Sequence, residues 1–133
     1  MAAKERPIPS PPTGPETQRF WDAAAQGTLL VKRCTACGEA HHYPRALCPF
    51  CGSEALLWQP SGAKGGTVYA TTVVNRREKD GGPYNVVLVD LDEGVRMMSR
   101  VEGVAPEAVR IGQRVMPSIG TIDGEPALLF TLA

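Results

Sequence analysis

The residues best suited to chemistry lie in positions 33–53, RCTACGEAHHYPRALCPFCGS, where Cys34–Cys37 and Cys48–Cys51 form two CxxC pairs around the adjacent His41 and His42. Thiols at this spacing can form disulfides, act as a redox pair or bind a metal. Each pair is followed by glycine, Gly38 and Gly52, and a CxxCG turn folds tightly enough to point both sulfurs at one centre. The glycine takes a backbone conformation that a Cβ disfavours. Two such knuckles supply four sulfurs at tetrahedral angles, which suits zinc. A redox centre needs one reactive pair, not two symmetric ones. Disulfides are rare in cytosolic chains, and a cytoplasmic address is expected, because MAAKERPIPSPPTGPE has no apolar signal core. No run of residues approaches the ~18 apolar positions of a membrane span. Four bound sulfurs close the shell and leave no position for an activated water, so one structural Zn2+ is expected. His41 and His42 are then spare. They are expected as a solvated loop pair beside the metal, with contact to a ligand as the alternative.

Elsewhere the catalytic inventory is thin. GxSxG, HExxH and GxxxxGK do not occur, and a nucleophile–base pair would have to recruit His41 or His42, the only histidines. Asp90, Asp92 and Glu93 crowd one strand end. Paired carboxylates can share acid–base work, but at a turn a solvated acidic tip is expected. The chain is therefore not expected to be an enzyme by itself. Fourteen Lys and Arg balance fourteen Asp and Glu, whereas nonspecific nucleic-acid binding draws on an excess of cations to neutralise phosphates. Arg76, Arg77 and Lys79 form the one basic cluster, interleaved with Glu78 and Asp80. Base stacking needs aromatics along a basic groove. The C-terminal half offers Tyr69, Tyr84 and Phe130, the last in a strand that reads as core.

The elements that must position these residues can be read along the chain. Residues 1–14 are proline-rich with few apolar groups, which predicts a flexible or extended arm. PETQRFWDAAAQG predicts a helix over 15–26, with Pro15 in the first turn and Gly27 at the end. Leu29 to Lys32 form a brief strand into the first knuckle. From Gly65, GTVYATTVVNR, YNVVLVDLD, VRMMSRVEG, QRVMPSIGTI and PALLFTL read as five β-branched, alternating strands joined by REKDGGPY and by turns at Glu93–Gly94 and Asp123–Gly124. Five short strands in about 70 residues predict a small closed barrel, since closure removes exposed edges.

FWDAAAQGTLLVKRCTACG, YPRALCPFCGS, GGTVYATTVV and PYNVVLVDLDEGVRMMSRVEG followed by IGQRV together resemble the zinc-ribbon OB-fold proteins of the DUF35 family, also described as acyl-CoA-associated. The resemblance covers about residues 15–133. It implies a mainly β fold, with an N-terminal helix and a rubredoxin-like zinc ribbon over 15–62 followed by a five-stranded OB-fold barrel over 63–133. Members of the family are small partners of thiolase-fold enzymes. These include archaeal thiolase–hydroxymethylglutaryl-CoA synthase assemblies, acyltransferase complexes of phloroglucinol metabolism and lipid-transfer-protein-type aldolases of steroid side-chain breakdown. The resemblance therefore implies a non-catalytic accessory subunit, in a hetero-oligomer, that stabilises an acyl-CoA enzyme and helps form its CoA and substrate path. A single-stranded nucleic-acid-binding protein and a stand-alone acyl-CoA-binding module are the alternatives. On this view Cys34, Cys37, Cys48 and Cys51 hold zinc. Phe20 and Trp21 are candidates for partner contact, with packing on the chain's own ribbon as the equal alternative. Arg76, Arg77 and Lys79 are candidates for meeting CoA phosphates, against a solvated loop.

Overall fold

Pro15 to Thr17 form a turn rather than helix, and α1 (Gln18–Ala25) begins three residues later than its sequence predicts. The computed structural model describes residues 14–122 and 125–133; the proline-rich arm over 1–13 and the Asp123–Gly124 turn lie outside them. Phe20 and Ala24, one helical turn apart, are the buried residues of α1, as an amphipathic helix requires. The helix closes where the backbone N–H groups of Gly27 and Thr28 donate to the carbonyls of Ala24 and Ala23, both at 2.9 Å.

The chain then enters a three-stranded antiparallel sheet of order β2-β1-β3, comprising β1 (Leu30–Cys34), β2 (Ala40–His41) and β3 (Leu56–Pro60). The strand expected over 29–32 thus runs on to the first cysteine. β2 and β3 are additions to the sequence reading. One has two residues and the other ends in proline, too little pattern for either to announce itself. Both are held by β1, with Lys32 opposite His41 on one side and Trp58 on the other.

The second sheet runs β6-β5-β4-β8-β9-β7, with β4 (Gly66–Val74), β5 (Tyr84–Leu91), β6 (Arg96–Ser99), β7 (Val101–Glu102), β8 (Arg114–Ile122) and β9 (Glu125–Leu132). The two outermost members, β6 and β7, are one stretch of chain interrupted at Arg100, so the sheet closes on itself as a barrel of five passes. At the break, the Arg100 carbonyl accepts the Phe130 N–H at 3.0 Å. Burial alternates residue by residue along β5, placing Val87 and Val89 beside Val68, Val115 and Phe130 in the interior. The fold is mainly β: a helix, a ribbon and an OB-type barrel.

One polar residue interrupts that interior. Asn85, 2% exposed, donates from Nδ2 to the Val101 carbonyl and accepts the Val101 N–H at Oδ1, both at 2.8 Å. Its side chain thus does the work of a backbone ladder where β5 meets β7. Its inward position in the PYNVVLVDL alternation was the available sequence signal. Asn85→Ala strands both groups of Val101 in the interior and is expected to cost about 2–3 kcal/mol in urea unfolding.

Ribbon and barrel share one hydrophobic cluster, in which Phe20, Leu29, Val31 and Ala40 meet Val95, Val101 and Phe130. The acidic strand end keeps the solvent access its turn predicts, with Asp92 exposed and Asp90 and Glu93 half-buried, but its carboxylates are not free. Arg96, opposite Asp90 in register, binds both its carboxylate oxygens at 2.6 and 3.0 Å. Arg114 grips both oxygens of Asp92 at 2.8 Å. Glu93 accepts the Gly62 N–H at 3.0 Å. The hydrogen bonds from Arg96 and Arg114 hold the carboxyls of Asp90 and Asp92 below the usual range. Asp90 and Asp92 are thus paired within the barrel, and Glu93 ties it to the segment after β3. Among the described residues, no helix is long and apolar enough to cross a membrane.

Candidate metal centre and the ribbon–barrel cleft

Each knuckle is a tight turn. The Gly38 N–H donates to the Cys34 carbonyl at 2.9 Å and the Gly52 N–H to the Cys48 carbonyl at 2.8 Å. Both glycines have positive φ, 82° and 78°, the conformation that the CxxCG pattern requires. The turns bring Cys34 Sγ to 3.6 Å from Cys51 Sγ and Cys37 Sγ to 3.7 Å from Cys48 Sγ. All four sulfurs lie within 4.8 Å of one another. Sulfurs bound tetrahedrally at ~2.3 Å would stand about 3.8 Å apart, so the set fits one metal ion. All four are free cysteines. The Phe50 N–H points at Cys48 Sγ at 3.4 Å, a donor suited to a thiolate.

The close-packed sulfurs also perturb one another's protonation. The Cys37 N–H, against burial, lowers the Cys34 thiol to about 7. At Cys37 the Glu39 N–H favours the thiolate, but burial and the neighbouring sulfurs outweigh it and push the thiol up to about 12. Four thiolates at this spacing repel one another, and a divalent cation at their centre removes that repulsion. The cluster is a structural metal site of the ribbon type.

The histidines are not the solvated pair that their loop predicts. β2 pairs with β1 and turns His41 inward, leaving it 7% exposed. Its Nδ1 and Nε2 are both buried without a hydrogen-bond partner, as is His42 Nδ1. His42 packs its ring edge-on to Phe20, centroids 5.4 Å apart. Burial, then Lys32 and Arg45, lower the His41 pKa. Burial, then His41, take His42 down to about 4. An unfolded histidine titrates near 6.5, so between about 6.5 and 4 the unfolded chain takes up a proton that the fold refuses. Stability is therefore lost as pH falls through that window. By pH 5 the His42 share is about 2 kcal/mol. Urea unfolding at pH 7 and pH 5 is expected to show a smaller acid loss, by that amount, in His42→Phe than in the unsubstituted chain. Equal losses would refute it.

Phe20, expected as a candidate for partner contact, is 3% exposed and lies in the core. The helix stacks its ring against His42 and edge-on to Trp21 at 4.9 Å, which removes it from the outer surface. Trp21 is half-buried and lines the cleft between ribbon and barrel. Across that cleft Phe50, Tyr43 and Met98 are exposed at 62%, 52% and 70%, residues that spacing alone did not single out. The basic cluster lies elsewhere, in the turn before β5. There Arg76 donates to the Gly82 carbonyl at 2.7 Å and covers the Tyr84 ring, while Arg77 pairs with Asp80 at 2.9 Å. Lys79 is exposed in the same turn. Arg96 covers the Tyr69 ring at 3.5 Å. Both barrel tyrosines, the exposed Tyr69 and the half-buried Tyr84, thus have one face occupied by a guanidinium, which leaves a poor platform for stacking bases.

Comparison with known proteins agrees with this geometry. Residues 21–56 match the family described as "ChsH2, rubredoxin-like zinc ribbon domain" and residues 58–119 match "ChsH2, C-terminal OB-fold domain". A "DUF35 domain-containing scaffold protein" of Methanothermobacter thermautotrophicus is 31% identical over 75% of this chain and 78% of its own length. A "probable enoyl-CoA hydratase alpha subunit" of Thermomonospora curvata is 36% identical over 82% of the chain, which spans only 34% of that relative. Among solved structures, a chain of an "Ltp2-ChsH2(DUF35) aldolase" superposes with a TM-score of 0.79 at 30% identity, over 92% of this chain and 98% of that one. A DUF35 protein of unknown function from Sulfolobus solfataricus, 18% identical with a TM-score of 0.69, shares the fold. With its cysteine knuckles, ribbon and closed barrel matched in order, the chain belongs to the DUF35 family of zinc-ribbon OB-fold proteins.

Proposed function

We propose that the chain is a non-catalytic accessory subunit. It would bind and stabilise a thiolase-like or lipid-transfer-protein-type enzyme acting on acyl-CoA, and help form that enzyme's substrate path. The observation that carries this reading is the alignment with 98% of one chain from the Ltp2-ChsH2(DUF35) aldolase. The scaffold name of the archaeal relative and the CoA in the hydratase name support it. Cys34, Cys37, Cys48 and Cys51 would hold one structural Zn2+, with the ribbon and barrel units meeting near residue 62. Arg76 is engaged in shaping its own turn, so CoA phosphates passing that turn would be met by Arg77 and Lys79 through charge-assisted hydrogen bonds.

Co-expression with a thiolase- or lipid-transfer-protein-type enzyme encoded beside the chain is the test. The expected result is co-elution as a hetero-oligomer in size-exclusion chromatography and a higher soluble yield of the enzyme. Separate elution from every such enzyme would overturn the proposal.

A further inference from the structure

Between ribbon and barrel lies a cavity of about 440 Å³ whose wall includes Phe20, Trp21, His42, Tyr43, Met98 and Leu128. It is an aromatic and aliphatic groove, and its few polar side chains are mostly donors. Trp21 Nε1 and the Tyr43 hydroxyl make no hydrogen bond with any described residue. Arg96, the one charged side chain in the wall, is already held by both carboxylate oxygens of Asp90. Among the described residues no carboxylate or amide side chain lines the groove, so an occupant's own N–H groups would find few acceptors there.

That asymmetry selects the occupant's backbone. An ordinary extended peptide carries one N–H and one C=O per residue, and burying an N–H without an acceptor is costly. Proline has a carbonyl and no N–H. A polyproline II segment makes no internal hydrogen bonds and leaves its carbonyls free. An aromatic wall with free indole and phenol donors is suited to hold it.

The chain carries such a segment beside the groove. Residues 7–12 read PIPSPP, and the arm joins the described fold at a fixed point. The Gly14 N–H donates to Thr17 Oγ1 at 3.0 Å, and the Gly14 carbonyl accepts the N–H groups of Thr17 and Gln18 at 3.0 and 2.9 Å. Thr17 itself is buried. At 1.5 Å per residue, Trp21 stands about 10 Å from Gly14 along the helix axis. Pro9 and Pro12, at 3.1 Å per residue of polyproline II, stand about 16 and 6 Å from Gly14 and so bracket that distance. A tether this short also gives the segment an effective concentration of order millimolar, which any free competitor must match.

We propose that the chain's own proline-rich segment, residues 7–12, docks as polyproline II across Trp21 and Tyr43 and covers the ribbon–barrel groove. The indole N–H and the tyrosine hydroxyl donate to its carbonyls. Trp21 is also the ring offered to a partner enzyme, so the arm is a self-cover that such a partner displaces. That consequence alone rests on the accessory-subunit reading.

The test compares the full chain with a variant carrying Pro7→Ser, Pro9→Ser, Pro11→Ser and Pro12→Ser. Both also carry Trp58→Phe, so that Trp21 is the remaining tryptophan. The serine variant is expected to lose shielding of Trp21, with steeper acrylamide quenching and red-shifted emission. Nuclear Overhauser contacts between proline ring protons and the Trp21 indole are expected in the full chain and not in the variant. A synthetic peptide of residues 1–13 is expected to bind the serine variant saturably. It should bind the chain with its prolines at least about tenfold more weakly, because there it competes with a tethered copy. Tyr43→Phe, at an exposed position, should weaken the peptide on the serine variant by about fivefold, the worth of one hydrogen bond. Equal quenching without Overhauser contacts would overturn the docking. Equal peptide binding by both chains would assign the groove to another protein's proline-rich segment, and shielding that rises with protein concentration would assign it to a second copy's arm. Either result overturns the proposal. If the serine variant aggregates, the Overhauser contacts of the unsubstituted chain decide. Contacts present without tighter capture of a partner enzyme by the serine variant refute the self-cover and keep the docking. Contacts absent with capture intact refute the docking and spare the accessory role.

Discussion

Cys48→Ser is expected to cost the chain its metal and its folded ribbon together. Cys48 is buried in the second knuckle, 3.7 Å from Cys37 across the cluster. A serine hydroxyl there offers a hard, weakly acidic oxygen where the site needs a thiolate. Three sulfurs hold the ion less tightly, and in small zinc domains metal binding supplies on the order of 10 kcal/mol of folding free energy. The ribbon has little to set against that loss. Its sheet has only twelve residues, of which β2 contributes two. Nor can the damage stay local, because Leu29, Val31 and Ala40 belong to the same cluster as the barrel's Val101 and Phe130. Elemental analysis is expected to find one zinc per unsubstituted chain and near-zero in the variant. Thermal melting should show the variant unfolded or aggregated, and exhaustive chelation of the unsubstituted chain should reproduce that state. One equivalent of zinc with an unchanged melt in Cys48→Ser would refute a structural role.

The metal cluster was the most legible part of the molecule because its information is local: spacing and two glycines describe each knuckle. The barrel strands were legible for a similar reason, since alternation in YNVVLVDL is written residue by residue and reappears as alternate burial along β5. What escaped depended on distant partners. β3 is a strand because five of its residues find β1, and nothing in LLWQP itself demands it. Asp90 and Asp92 look like free acids until arginines 6 and 22 residues away take both oxygens. The histidines look solvated until β2 docks and closes both nitrogens of His41 and Nδ1 of His42 off from water. VRMMSRVEG reads as one strand, and only closure onto β9 explains why it is interrupted at Arg100. The cleft belongs to the same class, as its apolar wall does not exist until ribbon and barrel meet.

The aromatic pair of α1 allows the structural and interfacial roles of that helix to be separated. Phe20→Ala is expected to destabilise the chain by about 3–5 kcal/mol, the range for truncating a buried phenylalanine where the surroundings cannot collapse. The cavity would open between α1, His42 and the shared core, so the helix loses its main anchor on β9 and β1. Trp21→Ala removes a half-buried ring at the mouth of the cleft. Its cost in stability is expected to be smaller, about 1–2 kcal/mol, because part of that ring already meets solvent. If the accessory-subunit reading holds, the order reverses in a pull-down. Half-exposed tryptophans dominate many interfaces, and truncating one commonly costs 2 kcal/mol or more of binding. Trp21→Ala should then weaken capture of the partner enzyme by about tenfold or more while melting near the unsubstituted chain. Unfolding curves and capture titrations on both variants provide the comparison. A Trp21→Ala protein that binds its partner undiminished would assign both rings to the fold and leave the exposed Tyr43, Phe50 and Met98 to carry the contact.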